Sequence, residues 1–186
     1  LKPVDVIHHD YITFSYIGER RAVKRGLLEL KFKNNGVLWS LYGLHLKSKY
    51  TVDSADPESA KFRVAEARAI RDFINKSHKD AHRPNFIITG DFNDYTNQPA
   101  LKRFLKVGHN TTGIMLPCYD RRGEIWTYFY DFHDAYERID FFIFSPAMTK
   151  YVVDERGHIV DILPESLIGS DHRLIYVDLS FPKFTK

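Results

Sequence analysis

The segment "VLWSLYGLHL", Val37 to Leu46, is nearly continuous in apolar residues, so a strand built from it needs cover on both faces. Its neighbours are of a kind to help. "VIHHDYITFSYIG" (6–18) and "LLELKF" (27–32) are rich in β-branched and aromatic residues and lie close by, which predicts antiparallel partners. A helix follows. Asp56 can cap it and Pro57 suits its first position, and Ala60, Val64, Ala67, Ile70 and Ile74 then recur as an apolar stripe with Arg63, Glu66, Arg71 and Lys76 on other faces. "FIIT" (86–89) reads as a short buried strand and "QPALKRFLKV" (98–107) as a second, shorter helix. "IWTYFY", "RIDFFIFS", "IVDIL" and "LIYVDLSF" return to strand. Strand-rich ends with helices between strands predict an α+β fold (an α/β sandwich) of two packed, mostly antiparallel sheets flanked by helices.

Length and composition agree with one such unit. A chain of 186 residues, 44% hydrophobic and 15% aromatic, is long enough for a sizeable core and too apolar to be disordered. No repeat or linker divides it, so residues 1–186 are expected to form a single domain. The formal charge of +3 permits a polyanionic partner without demanding one. Cys118 is the only cysteine, which excludes an intrachain disulfide and a cysteine-based zinc cluster. No apolar run approaches the roughly 20 residues of a membrane-spanning helix, so stable membrane insertion is not expected, and no signal peptide is visible at Leu1.

Polar, titratable residues gather at the ends of the apolar runs. His45 lies in "YGLHLKSK", Asp91, Asn93 and Asp94 follow "FIIT", Asp140 interrupts "RIDFFIF", and Asp171 and His172 precede the last strand. Each has an ordinary explanation taken singly. His45 can be a satisfied core histidine, Asp140 can pair with Arg138, and "SDH" and "GDFND" can be polar turns. A calcium loop starting at Asp91 is excluded, because Thr96 and Lys102 stand where glycine and glutamate are needed.

Taken together, the set suits phosphate-ester hydrolysis. That reaction needs a hard cation, and Asp91, Asn93 and Asp171 offer oxygen ligands. It also needs a base for water and donors for the charge that develops on phosphate. His172 held by Asp140 supplies an oriented imidazole, and His45 a second donor.

In this order, "HLKSK", "GDFND", "RIDFFIFSP" and "GSDHRLIYVDL" resemble the motifs of the endonuclease/exonuclease/phosphatase superfamily, whose fold is that of pancreatic-type deoxyribonuclease. The resemblance runs from about Lys24 to Leu179. It implies a Mg²⁺- or Mn²⁺-dependent hydrolase of phosphate esters, expected to be a phosphodiesterase with nuclease activity, and the mild positive charge leans toward nucleic acid as its substrate. By the same resemblance Asp91 positions or activates the attacking water, Asn93 holds phosphate and orients the metal shell, and Asp171 ligates metal. His172 acts as base or phosphate donor, Asp140 orients it, and His45 contacts phosphate in the transition state. Lys47 is expected to add positive charge for the substrate. "KRGLLELKF", "RVAEARAIRDFI" and "GEIWTYFY" are similar to uncharacterised bacterial members, which implies Arg25, Arg63 and the Trp126–Thr127 pair along the cleft.

The pattern departs from the superfamily in one respect. Its first strand with an asparagine and its "QE" glutamate, the principal metal ligand, have no counterpart before His45. Glu19 and Glu29 are the only glutamates there, and Glu29 is expected to face solvent from its strand. An N-terminally incomplete domain is the expected reason. The superfamily's range of substrates leaves open a phosphatase or a sphingomyelinase-like lipid phosphodiesterase, and the departure leaves open a non-catalytic module that binds nucleic acid or a partner.

Overall fold

A computed structural model of the chain describes residues 1–79, 84–161 and 170–182. Three short strands open it, β1 (Asp5–His9), β2 (Thr13–Tyr16) and β3 (Glu19–Ala22), followed by the long β4 (Leu27–Asn34) and β5 (Val37–His45). Helix α1 (Ala60–Ser77) leads to β6 (Phe86–Asp91), and α2 (Pro99–Leu105) to the two-residue strands β7 (Lys106–Val107), β8 (Asn110–Thr111), β9 (Ile114–Met115) and β10 (Cys118–Tyr119). The hairpin of β11 (Tyr128–Tyr130) and β12 (Ala135–Glu137) precedes β13 (Asp140–Phe144), β14 (Gly157–Ile159) and β15 (Ile175–Tyr176).

The main sheet has the order β1-β4-β5-β6-β13-β9, with β5 and β6 parallel and every other pair antiparallel. Both of its faces are covered, as the apolar run of β5 requires. On one face Tyr42, Leu44, Ile88, Phe141 and Ile143 pack with Ala67, Ile70 and Ile74 of α1 and Leu101 and Phe104 of α2. On the other, Phe32, Trp39, Ile87, Phe142 and Phe144 meet Leu116, Cys118 and Ile159, from the side of the small β10-β14-β15 sheet. The result is the α+β sandwich expected from the sequence. Side chains such as Phe141, Phe144 and Ile143 are fully buried, and each stabilises the fold by about 1.5–3 kcal/mol.

Several local expectations change. The 6–18 run is two strands, because β1 joins the main sheet while β2 turns back onto β3 through Ile17 and Gly18, both at positive φ. "IWTYFY" is strand only from Tyr128, "LIYVDLSF" only at Ile175–Tyr176, and "IVDIL" runs beyond the described residues. Asp56 does cap α1, from a distance, across the 3₁₀ turn Pro57–Ser59. Its carboxylate accepts the N–H groups of Lys61 and Phe62 at 2.8 and 2.9 Å.

Two corrections concern charged residues. Glu29 does not face solvent. Strand alternation places it with Leu27 on the α1 side of β4, where it is 6% exposed and accepts from Ser40 and Tyr42 at 2.9 and 3.0 Å, with His9 Nε2 at 2.9 Å. Likewise the buried stripe of α1 begins with Arg63 and Glu66, not Ala60, so these charges are 2% and 0% exposed. Both find polar partners, because this end of the helix packs on loops rather than on the apolar part of the sheet.

Candidate active site

Register brings three acceptor-bearing strand ends together. The parallel pairing of β5 with β6 sets His45 beside Asp91, and the antiparallel pairing of β6 with β13 sets Asp140 on Asp91's other side. His45 Nε2 lies 3.2 Å from Asp91 Oδ2. His172 enters from the chain before β15 with its Nδ1 2.8 Å from Asp140 Oδ2. Asp140 therefore pairs with His172 and not with its sequence neighbour Arg138.

The "GDFND" turn is shaped by its backbone. Gly90 has φ +137°, and a Cβ there would stand 1.9 Å from the Leu44 carbonyl oxygen, so only glycine fits between β5 and β6. Asn93 sits in the left-handed region at φ 49°, a conformation that asparagine tolerates better than most residues. Its backbone N–H donates to Asp91 Oδ1 at 2.7 Å, and its Nδ2 donates to the Leu46 carbonyl at 2.9 Å and to Asp91 Oδ2 at 3.0 Å. The Asn93 amide is thereby fixed with both donors committed to protein, which leaves its oxygen as the free group.

Asp94 does more than close that turn. It is 5% exposed and bonded to Arg63 Nε at 3.2 Å. Arg63 also donates to the carbonyls of Lys47 and Glu58, at 3.2 and 2.8 Å. The expectation that Arg63 binds substrate is therefore corrected: buried under the loops, it ties α1 to the turn. Lys47 is not free either, since its ammonium group folds back on the Ser48 carbonyl and hydroxyl and on the Tyr50 carbonyl. Trp126 stacks under Arg173 at 4.1 Å, meets Tyr136 edge-on and donates to Glu124 Oε2 at 2.8 Å, so these contacts turn it toward the Arg173 side of the site.

A second set of residues holds the His172 end. Thr127 Oγ1 accepts the N–H groups of Ile139 and Asp140 at 3.2 and 3.1 Å, and the Thr127 carbonyl accepts the Arg173 N–H at 2.7 Å. Arg173 is 3% exposed and bonds Asp120 at 2.9 Å, Asp161 at 3.0 Å and the Val160 and Trp126 carbonyls at 3.2 Å. His172 thus stands on a buried arginine with four of its five side-chain donors engaged, with Tyr128 against its ring at 4.8 Å. Sequence reasoning passed over Arg173 and Glu66. The available signal for Glu66 was its spacing, four residues before Ile70 and one before Ala67, on the stripe rather than off it.

The site's electrostatics follow from burial and from these neighbours. Burial, reinforced by the Asp140 charge, pushes the Asp91 carboxyl up to about 6, against the Asn93 N–H and the cations of His172 and Arg25. His172 moves up because it donates to Asp140. His45 moves down, chiefly through burial and then through the positive charge of Arg25. Asp91 and His172 are thus both pushed upward, and His45 downward.

Asp91, the free Asn93 oxygen and the exposed Asp171 are hard donors, and a Mg²⁺ ion takes one or two protein carboxylates with water completing its shell. The donor set fits such an ion by type, and the mutual repulsion of Asp91 and Asp140 favours a cation. Among the described residues, no three His, Cys, Asp or Glu side chains converge as a preformed metal cluster. A cavity of about 870 Å³ among the described residues lies elsewhere. It runs beside α1 and is lined by Phe14, Lys61, Val64, Arg68, Tyr95 and Arg103 among others, with none of the four strand-end residues.

Comparison with known proteins bears on the fold and the family. Among solved structures, the human Nocturnin catalytic domain with bound sulfate superposes with a TM-score of 0.65 at 17% identity, over 97% of this chain and 60% of that one. A mannosyl-6-phosphatase of Bacteroides thetaiotaomicron gives 0.57 at 20% identity, over 83% and 57%. A Staphylococcus aureus beta toxin variant with bound magnesium ions gives 0.52 at 17%, over 82% and 53%. The chain thus spans between about half and three-fifths of the length of these proteins. These likenesses establish the fold. No curated protein matches the sequence. The Endonuclease/Exonuclease/phosphatase family model, in contrast, matches residues 5–172, from β1 through His172, and the chain belongs to that family.

Proposed function

We propose that the protein is a divalent-metal-dependent phosphodiesterase acting on nucleic acid. Family members generally hydrolyse phosphate esters, and the observation that carries the reading further is the register: His45, Asp91 and Asp140 end adjacent strands side by side, with His172 bonded to Asp140 at 2.8 Å.

In this reading Asp91, Asn93 and Asp171 hold Mg²⁺, which when bound neutralises the oxygens of the substrate phosphate. Asp91 receives the proton of the attacking water. The water oxygen bonds to phosphorus as the ester P–O bond breaks. His172 gives its proton to the leaving oxygen, and Asp140 stabilises the imidazolium beforehand. His45 donates an N–H to a phosphate oxygen as charge grows there. Asn93, with both amide hydrogens tied to Leu46 and Asp91, keeps the turn from moving as the charge shifts.

The net charge of +3 favours a polyanion, and the likeness to a phosphatase calls for a monoester control. Hydrolysis of a plasmid, of a chromogenic phosphodiester and of a chromogenic phosphomonoester is measured with Mg²⁺, with Mn²⁺ and with chelator. Metal-dependent turnover of plasmid and diester supports the reading. Turnover of the monoester alone, or turnover that persists in chelator, contradicts it.

A further inference from the structure

We propose that Arg25 is the residue that grips the substrate's phosphate, and that the buried Glu66 is the positioning residue that presents it. This rests on the phosphoesterase reading for its substrate, and on the following geometry for its residues.

The positive charge that the sequence assigns to Lys47 is not available there. Its ammonium group is turned onto two carbonyls and a hydroxyl. Arg63 is likewise consumed by Asp94 and two carbonyls. Arg25 differs from both. Its residue is exposed, and among the described residues its guanidinium makes one hydrogen bond, from Nη1 to the Leu46 carbonyl at 3.2 Å. That carbonyl also accepts from Asn93 Nδ2, while the Leu46 N–H donates to the Asp91 carbonyl at 2.9 Å. Arg25 is therefore fastened to the backbone between His45 and Lys47, on the same atom as Asn93, with four of its five N–H donors uncommitted. A guanidinium so held presents a planar fork beside the strand ends, which is the geometry that binds phosphate oxygens in pairs. The charge of Arg25 is felt at both His45 and Asp91, consistent with this placement.

Glu66 explains why the fork stays there. Its carboxylate is 0% exposed, and its two oxygens accept the backbone N–H of Lys24 at 3.0 Å and that of Lys47 at 2.8 Å. One group on α1 thus clamps the turn that carries Arg25 to the loop that follows His45. The turn is held from its other side by the left-handed Gly26, φ +69°, whose N–H donates to Val23, and by His8 Nε2 at 3.2 Å from the Arg25 carbonyl. Glutamine at position 66 keeps the shape but has one acceptor oxygen for two amides, so it releases one side of the clamp.

The test is the affinity for inorganic phosphate, followed through histidine NMR signals of the metal-free full chain, so that it needs no turnover. Wild type should bind phosphate; Arg25→Ala should weaken binding at least tenfold, and Arg25→Lys by several-fold through loss of the fork. Arg68→Ala, which removes one exposed charge of α1 that lines the separate cavity beside that helix, should change it less than twofold. Glu66→Gln, with Arg25 intact, should weaken it about as much as Arg25→Lys, and in any hydrolysis assay raise KM more than it lowers kcat. Absence of phosphate binding by wild type, or equal binding by Arg25→Ala, overturns the role of Arg25. Lower thermal stability of Glu66→Gln with unchanged phosphate affinity overturns the positioning role. Arg25-dependent phosphate binding without hydrolysis would leave this inference standing and remove the phosphoesterase reading; hydrolysis indifferent to Arg25 would do the reverse.

Discussion

Asp91 and Asp140 face one another across the β6–β13 ladder, two carboxylates as direct cross-strand partners at the end of the sheet. Like charges so placed destabilise a sheet, and proteins keep such pairs where something else compensates. His172 does so for Asp140, and a cation is the natural compensation for Asp91.

That cost should be measurable in the metal-free protein. Asp91 is raised from 3.8 to about 6, so its ionised form disfavours the fold. Below about 4 both folded and unfolded chains hold the proton and the cost is absent. It grows as pH rises towards 6 and is constant above, at about 3 kcal/mol for a shift of this size. Asp91→Asn should therefore raise stability to urea at pH 8 by roughly 2 kcal/mol, with the gain fading at pH 4. Equal effects at both values would contradict the charge-based account.

The His172–Asp140 bond makes a second prediction. The His172 imidazole should titrate above the ordinary histidine value of 6.5 in wild type and drop below its wild-type value in Asp140→Asn, followed by NMR without metal. Because the folded value is the higher one, the stability this bond contributes is full below 6.5 and is lost as pH rises through the raised value. The same His172 signal in both proteins would mean that the bond does not form in solution.

Asp120 and Arg173 form a pair with side chains 0% and 2% exposed. Burial alone would raise the Asp120 carboxyl, but Arg173 and the N–H groups of Glu124 and Arg122 outweigh it and hold the group well below the carboxylate range. Its contribution is thus present above the unfolded value near 4 and fails only in strong acid. Asp120→Asn leaves Arg173 buried and half-paired, and should cost about 3 kcal/mol at pH 7 by chemical denaturation. A cost below 1 kcal/mol would place Arg173's support elsewhere.

Gly90→Ala tests the shape of the turn. The added Cβ would meet the Leu44 carbonyl in a backbone conformation closed to alanine, so a loss of about 3 kcal/mol or more, or failure to fold, is expected. Near-normal thermal stability would show that β5 and β6 can separate there.

How much of this could be read from the sequence differs by element. The β4–β5 pair and α1 were legible, because long periodic segments declare themselves: Tyr42 and Leu44 point to one face, Trp39 and Leu41 to the other. The short strands were not, since two residues such as Ile175 and Tyr176 carry no period. The strand-end residues were legible as a set, and so was the pairing of His172 with Asp140, but register was needed to place His45 beside Asp91. Buried charges were the hardest. Glu29, Arg63 and Glu66 look like surface residues until the tertiary partners that satisfy them are known, and that is why Arg63 was expected on the wrong side of the loop.

The most direct test of the central claim is a double-mutant comparison of Mg²⁺-dependent diester hydrolysis in wild type, Asp91→Ala, His172→Ala and the double variant. If the strand ends act as one unit, each single change should lower kcat by roughly a thousandfold, and the double variant should be little worse than the poorer single. Retention of kcat within about tenfold of wild type in both single variants would contradict the claim that this site carries out the chemistry.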